Sequence, residues 1–152
     1  ARQREELYSA GRSCGAFRNG ERIHVGNLTD IHKVKMGLDS GKENRRAHLP
    51  YWERLYQPDG ITVALCTGCA SVPLCLVASG VLDAYLATSL APEDMAAAVI
   101  VLREAGAKVT DLKGRPWELG EPSILAANPV LHRKLTEFLV LSKRKKGVSK
   151  CQ

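Results

Sequence analysis

The chain has 152 residues, a length that suits one domain with a sizeable core. Hydrophobic residues make up 45% and charged residues 25%, which excludes a disordered chain, and no apolar run approaches the roughly 18–20 residues of a membrane span. The net charge of +6 invites a nucleic-acid reading, but much of the excess sits in residues 143–150 (K-R-K-K-G-V-S-K), with more at Arg2, Arg4 and residues 42–46. A terminal basic run reads as a solvated tail, and no aromatic residues interleave with it as a single-strand platform requires. The expectation is therefore neither a membrane nor a nucleic-acid partner. The first residues, A-R-Q-R-E-E-L, lack an apolar signal core. Of the five cysteines (Cys14, Cys66, Cys69, Cys75, Cys151) most lie in apolar stretches, where a free thiol behaves as a small hydrophobe. Both features point to a reducing, cytoplasmic setting.

Residues 5–25 read as short antiparallel strands. Residues 7–10 and 15–18 form two of them, Asn19-Gly20 is the strongest two-residue hairpin signal, and residues 22–25 alternate polar and apolar as a half-buried strand does. Three short strands need something to pack on, which hints at a partner beyond them. Residues 34–39 predict a strand that ends in the turn Ser40-Gly41. A polar, glycine-bearing turn after a strand is where α/β sheets place ligands, although an ordinary turn reads the same way. Residues 44–56 predict an amphipathic helix, Pro58-Asp59-Gly60 a turn, and residues 61–65 a buried strand.

Cys66-Thr67-Gly68-Cys69-Ala70-Ser71 follows that strand. The C-x-x-C spacing suggests zinc or redox chemistry, but no second pair and no nearby histidines complete four ligands. Strand, Thr-Gly-small-small, then helix fits better with close backbone approach, in which a ligand touches main-chain N–H groups at the helix start. Residues 72–79 form that helix, with Pro73 tolerated in its first turn and Gly80 as its C-cap. Residues 81–86 predict the next strand.

Residues 87–111 organise the rest. Pro92 suits the start of a helix; Glu93 and Asp94 put negative charge where unpaired N–H groups favour it; residues 95–102 are apolar enough to be buried on most of the helix; Gly106 closes it, and Val109 begins a strand. On spacing alone Asp94 is a cap or a ligand. Residues 123–127 predict a short buried strand, and Asn128-Pro129 an N-cap and first position for a helix over residues 130–142. The alternation of strand and helix from residue 34 onward argues for an α/β fold, a sheet with helices on both faces.

Four stretches together resemble the inositol monophosphatase family, part of the Mg²⁺-dependent, Li⁺-sensitive sugar-phosphatase superfamily that includes archaeal-type fructose-1,6-bisphosphatases. They are residues 6–25, G-C-A-S-V-P-L-C-L-V-A-S-G-V-L-D-A-Y at 68–85, P-E-D-M-A-A-A-V-I-V-L-R-E-A-G-A-K-V-T-D at 92–111, and S-I-L-A-A-N-P-V-L-H at 123–132. The resemblance covers the C-terminal portion of the family. It implies a mixed α/β sheet domain over residues 28–142, preceded in residues 1–27 by the last strands of an incomplete N-terminal α+β domain and followed by a basic tail at 143–152. It implies that Asp94 matches the metal-ligand Asp of the family's W-D-x-A-A-G signature, with Mg²⁺ as the cofactor. Gly68, Cys69 and Ala70 match the segment whose backbone holds the sugar or inositol, and Ser40 matches a substrate-contacting position more weakly. The chain departs from the pattern at Glu93, where the family has Trp, at Ala98, where the signature closes on Gly, and at Ala87, where some members carry a substrate-binding Glu. The family's Glu helix motif and Asp-x-x-Asp-Gly-Thr segment have no counterpart here. The resemblance thus implies a phosphorylated sugar or inositol as substrate, a missing N-terminal half or partner chain, and a homo-oligomer. A non-catalytic binding or interaction module that keeps the fold is the alternative expectation. Asp39, Asp83 and Asp111 match no role, and Asp83 and Asp111 read as strand-end or turn residues.

Overall fold

A computed structural model describes residues 5–44 and 46–145, the side chains of 141–145 excepted. Its centre is a five-stranded mixed sheet in the order β5-β4-β6-β8-β7, built from β4 (Lys35–Ser40), β5 (Val63–Leu65), β6 (Ala84–Thr88), β7 (Lys108–Thr110) and β8 (Ile124–Ala127). Strand β4 pairs in parallel with β5 and β6, whereas β8 runs antiparallel to both β6 and β7. Four helices accompany it: α1 (Leu49–Leu55), α2 (Ser71–Ala78), α3 (Ala96–Glu104) and α4 (Pro129–Lys145).

The central strands are apolar on both faces because both faces are covered. Along β6, Tyr85 and Ala87 join the core beneath α2 and α3, while Ala84 and Leu86 join the core beneath α1 and α4. Strand β8 repeats the period of two: Ile124 and Ala126 face one core, Leu125 and Ala127 the other. This is the mixed sheet with helices on both faces that the alternation of elements predicts.

The N-terminal strands β1 (Tyr8–Gly11), β2 (Gly15–Arg18) and β3 (Glu21–Ile23) form a separate antiparallel sheet. Asn19 and Gly20 both take positive φ, 53° and 83°, as a two-residue hairpin turn of the mirror type requires. Within the described residues this sheet packs on α3. Ala16 and Ile23 enter the α3 core, and the Glu104 carboxylate accepts from Ser13 N–H and Gly15 N–H, each at 2.9 Å. Its opposite face carries Ser9, Phe17 and Arg22, which the register places side by side.

Several expectations are corrected. The helix expected from residue 44 begins only at Leu49, because Pro50 must lie in a first turn: further in, it would leave a carbonyl unpaired and clash with the preceding turn. The strand expected to be buried at 61–65 is a short edge strand with Val63 44% and Leu65 43% exposed, since β4 covers only one of its sides. Helix α3 is buried at Ala98, Val99, Val101 and Leu102, but a strip of it at Ala97 and Ile100, the latter 51% exposed, stays open. Cys14, Cys66 and Cys69 are exposed thiols rather than small core hydrophobes. Residues 146–152, most of the expected basic tail, lie outside the described residues, and residues 143–145 are the last turn of α4.

Asn128 caps α4 as its sequence context predicts, its Oδ1 accepting from Val130 N–H (3.1 Å) and Leu131 N–H (3.0 Å). Asp83 and Asp111 prove to be strand-end and turn residues. Asp83 accepts from Lys35 N–H at 2.8 Å, tying the starts of β6 and β4. Asp111 accepts from the N–H groups of Lys113 and Arg115 and pairs with the Arg115 guanidinium at 2.6 Å. Burial pushes its carboxyl up, but these donors outweigh it and hold Asp111 below the usual range. One turn into α4, buried His132 sits 2.9 Å from Thr110 Oγ1, and burial lowers its pKa to about 4.

The His132 shift dictates a pH dependence. The unfolded chain takes up this proton near pH 6.5 and the folded protein only near pH 4, so the contribution is intact above pH 6.5 and lost as the pH falls toward 4. Stability should fall by about 2 kcal/mol between pH 7 and pH 5 from this group alone. His132→Gln should flatten that interval in urea melts at the two pH values.

Candidate functional site

Strands β4, β5 and β6 are parallel, so their carboxyl ends come to one side of the sheet, the side on which open α/β folds bind ligands. The loops after these strands enclose a cleft of about 800 Å³. Ser40, Gly68, Cys69, Ala70 and Asp94, singled out from three separate stretches of sequence, all line it. Sequence proximity accounts for none of this convergence; strand order does, because β5 and β6 flank β4.

The floor is held by a residue that sequence reasoning left without a role. Asp39, at the penultimate position of β4 and only 6% exposed, accepts from Gly68 N–H at 2.9 Å and Thr67 N–H at 3.2 Å through Oδ1. Its Oδ2 accepts from the Tyr85 hydroxyl at 3.2 Å and shares the single Thr67 hydroxyl proton, 3.1 Å away, with the Cys69 carbonyl at 2.8 Å. A buried carboxylate needs such donors to offset its lost hydration. Burial, and then the adjacent Asp39, push the Tyr85 phenol far above its ordinary value, so it stays protonated as the donor. Gly37 makes room for that ring: a Cβ there would lie 2.7 Å from Tyr85 Cδ2. The one sequence signal for Asp39 was a carboxylate in an otherwise apolar strand, a position where an acid is rarely left unpaired.

This network alters the backbone-approach reading of the Thr67–Ala70 turn. Two of its N–H groups, those of Thr67 and Gly68, are already taken by Asp39. Among the described residues, the N–H groups of Cys69 and Ala70 have no acceptor. Gly68 has φ +69° and open space where a side chain would stand, so the loop presents bare backbone to the cleft. The exposed Cys69 thiol is drawn below its ordinary pKa by the Ser71 hydroxyl 3.3 Å away and by the Val72 N–H. Burial and the Asp39 charge push Cys66 the other way.

On the far wall, residues Pro92–Asp94 form a single 3-10 turn, and α3 begins two residues after it. Asp94 is exposed at the cleft mouth. The capping alternative for its side chain is not realised: neither the turn nor α3 receives a side-chain cap. Glu93, which replaces the family's Trp, lines the same wall. The lining also carries Asp39, Glu43 and Lys42, so carboxylates dominate its charge. Among the described residues no group of three His, Cys, Asp or Glu side chains is placed to hold a metal ion. The exposed carboxylates on the lining are Glu43, Glu93 and Asp94, and among the described residues they do not close a Mg²⁺ site, which needs near-octahedral oxygen coordination, nor do Cys66 and Cys69 meet a third zinc donor there.

The junction of the walls is tight. Gly41 N–H donates to Thr88 C=O at 2.8 Å, and Ser89 takes φ +57°, unusual outside glycine. A Cβ on Gly41 would fall 1.5 Å from the Ser89 carbonyl oxygen.

A mixed α/β sheet with a polar cleft at the carboxyl ends of its parallel strands is the architecture of a ligand-binding α/β domain. The chain belongs to the inositol monophosphatase family, whose family model matches residues 3–146. It is 35% identical over 127 residues to inositol monophosphatase 2 of Rattus norvegicus, which covers 81% of this chain and 43% of that protein. It is 33% identical over 131 residues to the chloroplastic phosphatase IMPL1 of Arabidopsis thaliana, covering 86% of this chain and 35% of that one. The inositol monophosphatase from Anabaena superposes with a TM-score of 0.80 at 28% identity, over 90% of this chain and 57% of that structure. The chain therefore spans about half the length, or less, of these relatives.

Gly41→Ala should be costly, because the backbone of β4 or of the Ser89 loop must move: about 2–3 kcal/mol of stability lost. Thermal melts of the variant, with a crystal structure to locate the shift, check this.

Proposed function

We propose that the chain is the C-terminal part of a Mg²⁺-dependent phosphomonoesterase that hydrolyses a sugar or inositol phosphate. The observation that carries the reading is the meeting of Ser40, Gly68, Cys69, Ala70 and Asp94 on one cleft in a chain of the inositol monophosphatase family. The backbone of Gly68 to Ala70 and the Ser40 hydroxyl hold the polyol portion. Asp94 supplies one carboxylate to a Mg²⁺ site whose other ligands lie outside this chain, and a bound ion of that kind stabilises charge on phosphate oxygens. Asp94 alone does not hold the ion, so the activity belongs to the assembled protein. In this reading residues 1–27 are the last strands of an N-terminal α+β unit, and residues 28–142 are the C-terminal domain.

The exposed β5 edge with Val63 and Leu65, and exposed Val72 (54%) and Ile100 (51%), support the view that further protein or a second copy covers this chain. Among the described residues, no helix is long and apolar enough to cross a membrane.

A second reading, a binding module without chemistry, is favoured by the lack of a metal-holding trio among the described residues and by Ala87, Glu93 and Ala98 in place of the family residues. The two readings diverge at Asp94. In the assembled protein, Asp94→Asn should lower Mg²⁺-dependent phosphate release by about 100-fold or more while the fold stays intact. Unchanged phosphate release, or none from the parent protein, favours the binding module. Expressed by itself, the chain should dimerise or aggregate; a monodisperse monomer in static light scattering contradicts the covered-surface view.

A further inference from the structure

We infer that Asp39 is a positioning and discriminating residue of the cleft: it locks the Thr67–Gly68 turn and keeps anions away from that part of the floor. The cleft-binding half of this inference rests on the phosphatase reading, while the locking half does not.

The geometry has two parts. One carboxylate oxygen accepts from both Thr67 N–H and Gly68 N–H, and the other from the Thr67 and Tyr85 hydroxyls. Asp39 therefore joins the end of β4 to the loop after β5 and to Tyr85 of β6 through a single side chain that is only 6% exposed. Gly68 has positive φ and no packing contact on its open side; besides Asp39, the bond across that peptide is the local one from the Thr67 hydroxyl to the Cys69 carbonyl at 2.8 Å, which ties the turn to itself and not to β4. Bonds from neutral donors to a buried carboxylate are among the stronger kinds. The turn is held to β4 by Asp39, and the N–H groups of Cys69 and Ala70 are left without an acceptor among the described residues.

The second part is charge. N–H groups at the start of a helix attract anions, and the Thr67–Gly68 donors would extend that attraction into the floor. Asp39 reverses it. It occupies the two donors and puts a negative charge there, with the Tyr85 hydroxyl turned toward the carboxylate instead of the cleft. A group resting on this floor is favoured when it is uncharged and has hydroxyls to donate, and an anion is favoured only further toward Cys69 and Ala70.

The test uses the full-length protein with Asp39→Asn and Asp39→Ala. Asparagine keeps an acceptor for the turn and removes the charge; alanine removes both. Gly68 amide exchange, read by NMR, should stay within about threefold of the parent in Asp39→Asn and speed up by tenfold or more in Asp39→Ala. Titration with inorganic phosphate should show binding about tenfold tighter in Asp39→Asn than in the parent. With glycerol 2-phosphate as the assay substrate, Asp39→Ala should raise KM more than it lowers kcat. Exchange in Asp39→Ala as slow as in the parent overturns the locking role, and phosphate binding in Asp39→Asn no tighter than in the parent overturns the discriminating role. A kcat loss in Asp39→Asn that exceeds its change in KM overturns a positioning role in favour of a direct one. Should Asp39→Ala not fold, Asp39→Asn decides by itself: preserved Gly68 protection with tighter phosphate binding supports the inference, and any other combination overturns it. Should no protein release phosphate, the phosphatase reading fails, and the exchange and phosphate titrations still decide the role of Asp39.

Discussion

A carboxylate cannot be left bare inside an α/β sheet, and meeting that requirement at Asp39 shapes the end of this molecule where the cleft lies. Asp39 sits at the end of a central strand whose neighbours are Val34, Met36 and Leu38, all fully buried. Its four donors come from the loop after β5 and from β6. Satisfying one charge therefore ties the end of β4 and the loop after β5 to the Tyr85 side chain of β6. Two glycines serve the same end: Gly37 in β4 admits the Tyr85 ring that donates to Asp39, and Gly41 just after that strand lets the β4 and β6 loops touch backbone to backbone. A cleft assembled in this way is stiff at its floor and open at its mouth, where Asp94 stands exposed.

The rest of the fold supports that end by covering the sheet on both sides. Alternating residues of β6 and β8 feed two separate cores, and loss of either would expose strands that are apolar on both faces. Helix α3 has a double duty. Its inner face closes the core over Tyr85 and Ala87, and its C-terminal end holds the N-terminal hairpin through Glu104, while Ile100 stays exposed on the remaining side. The three-stranded sheet has one face on α3 and presents Phe17 and Arg22 on the other.

The charge of the cleft bears on what it can bind. Asp39, Glu43, Glu93 and Asp94 outweigh Lys42 among the described lining residues, a balance that repels a phosphate ester at any distance where the charges are not screened. A cation between such carboxylates and the ester would invert that sign. In the proposed phosphatase reading, Asp94 faces such a cation and the backbone of Gly68 to Ala70 faces the organic part of a substrate.

Much of this was legible in the chain itself. The hairpin at Asn19-Gly20, the cap at Asn128, the glycine stop at Gly106 and the order of strands and helices follow from local chemistry: positive φ, missing N–H groups and apolar periodicity act over a few residues and leave their mark in the sequence. The candidate residues Ser40, Gly68, Cys69, Ala70 and Asp94 were also marked, by their loops and by family likeness. What escaped was anything decided by neighbours distant in sequence. The exposure of Val63 and Leu65 depends on β5 lying at the edge, which no local pattern records. The shortening of α1 turned on where Pro50 falls relative to the first turn. Asp39 was left without a role because its donors lie 28 to 46 residues away. By itself the sequence determined the elements, their order and the chemical character of each loop. Only the tertiary structure decided which loops meet, which strand lies at the edge and which buried charge is satisfied, because those outcomes depend on long-range pairing and burial that no short stretch of chain contains.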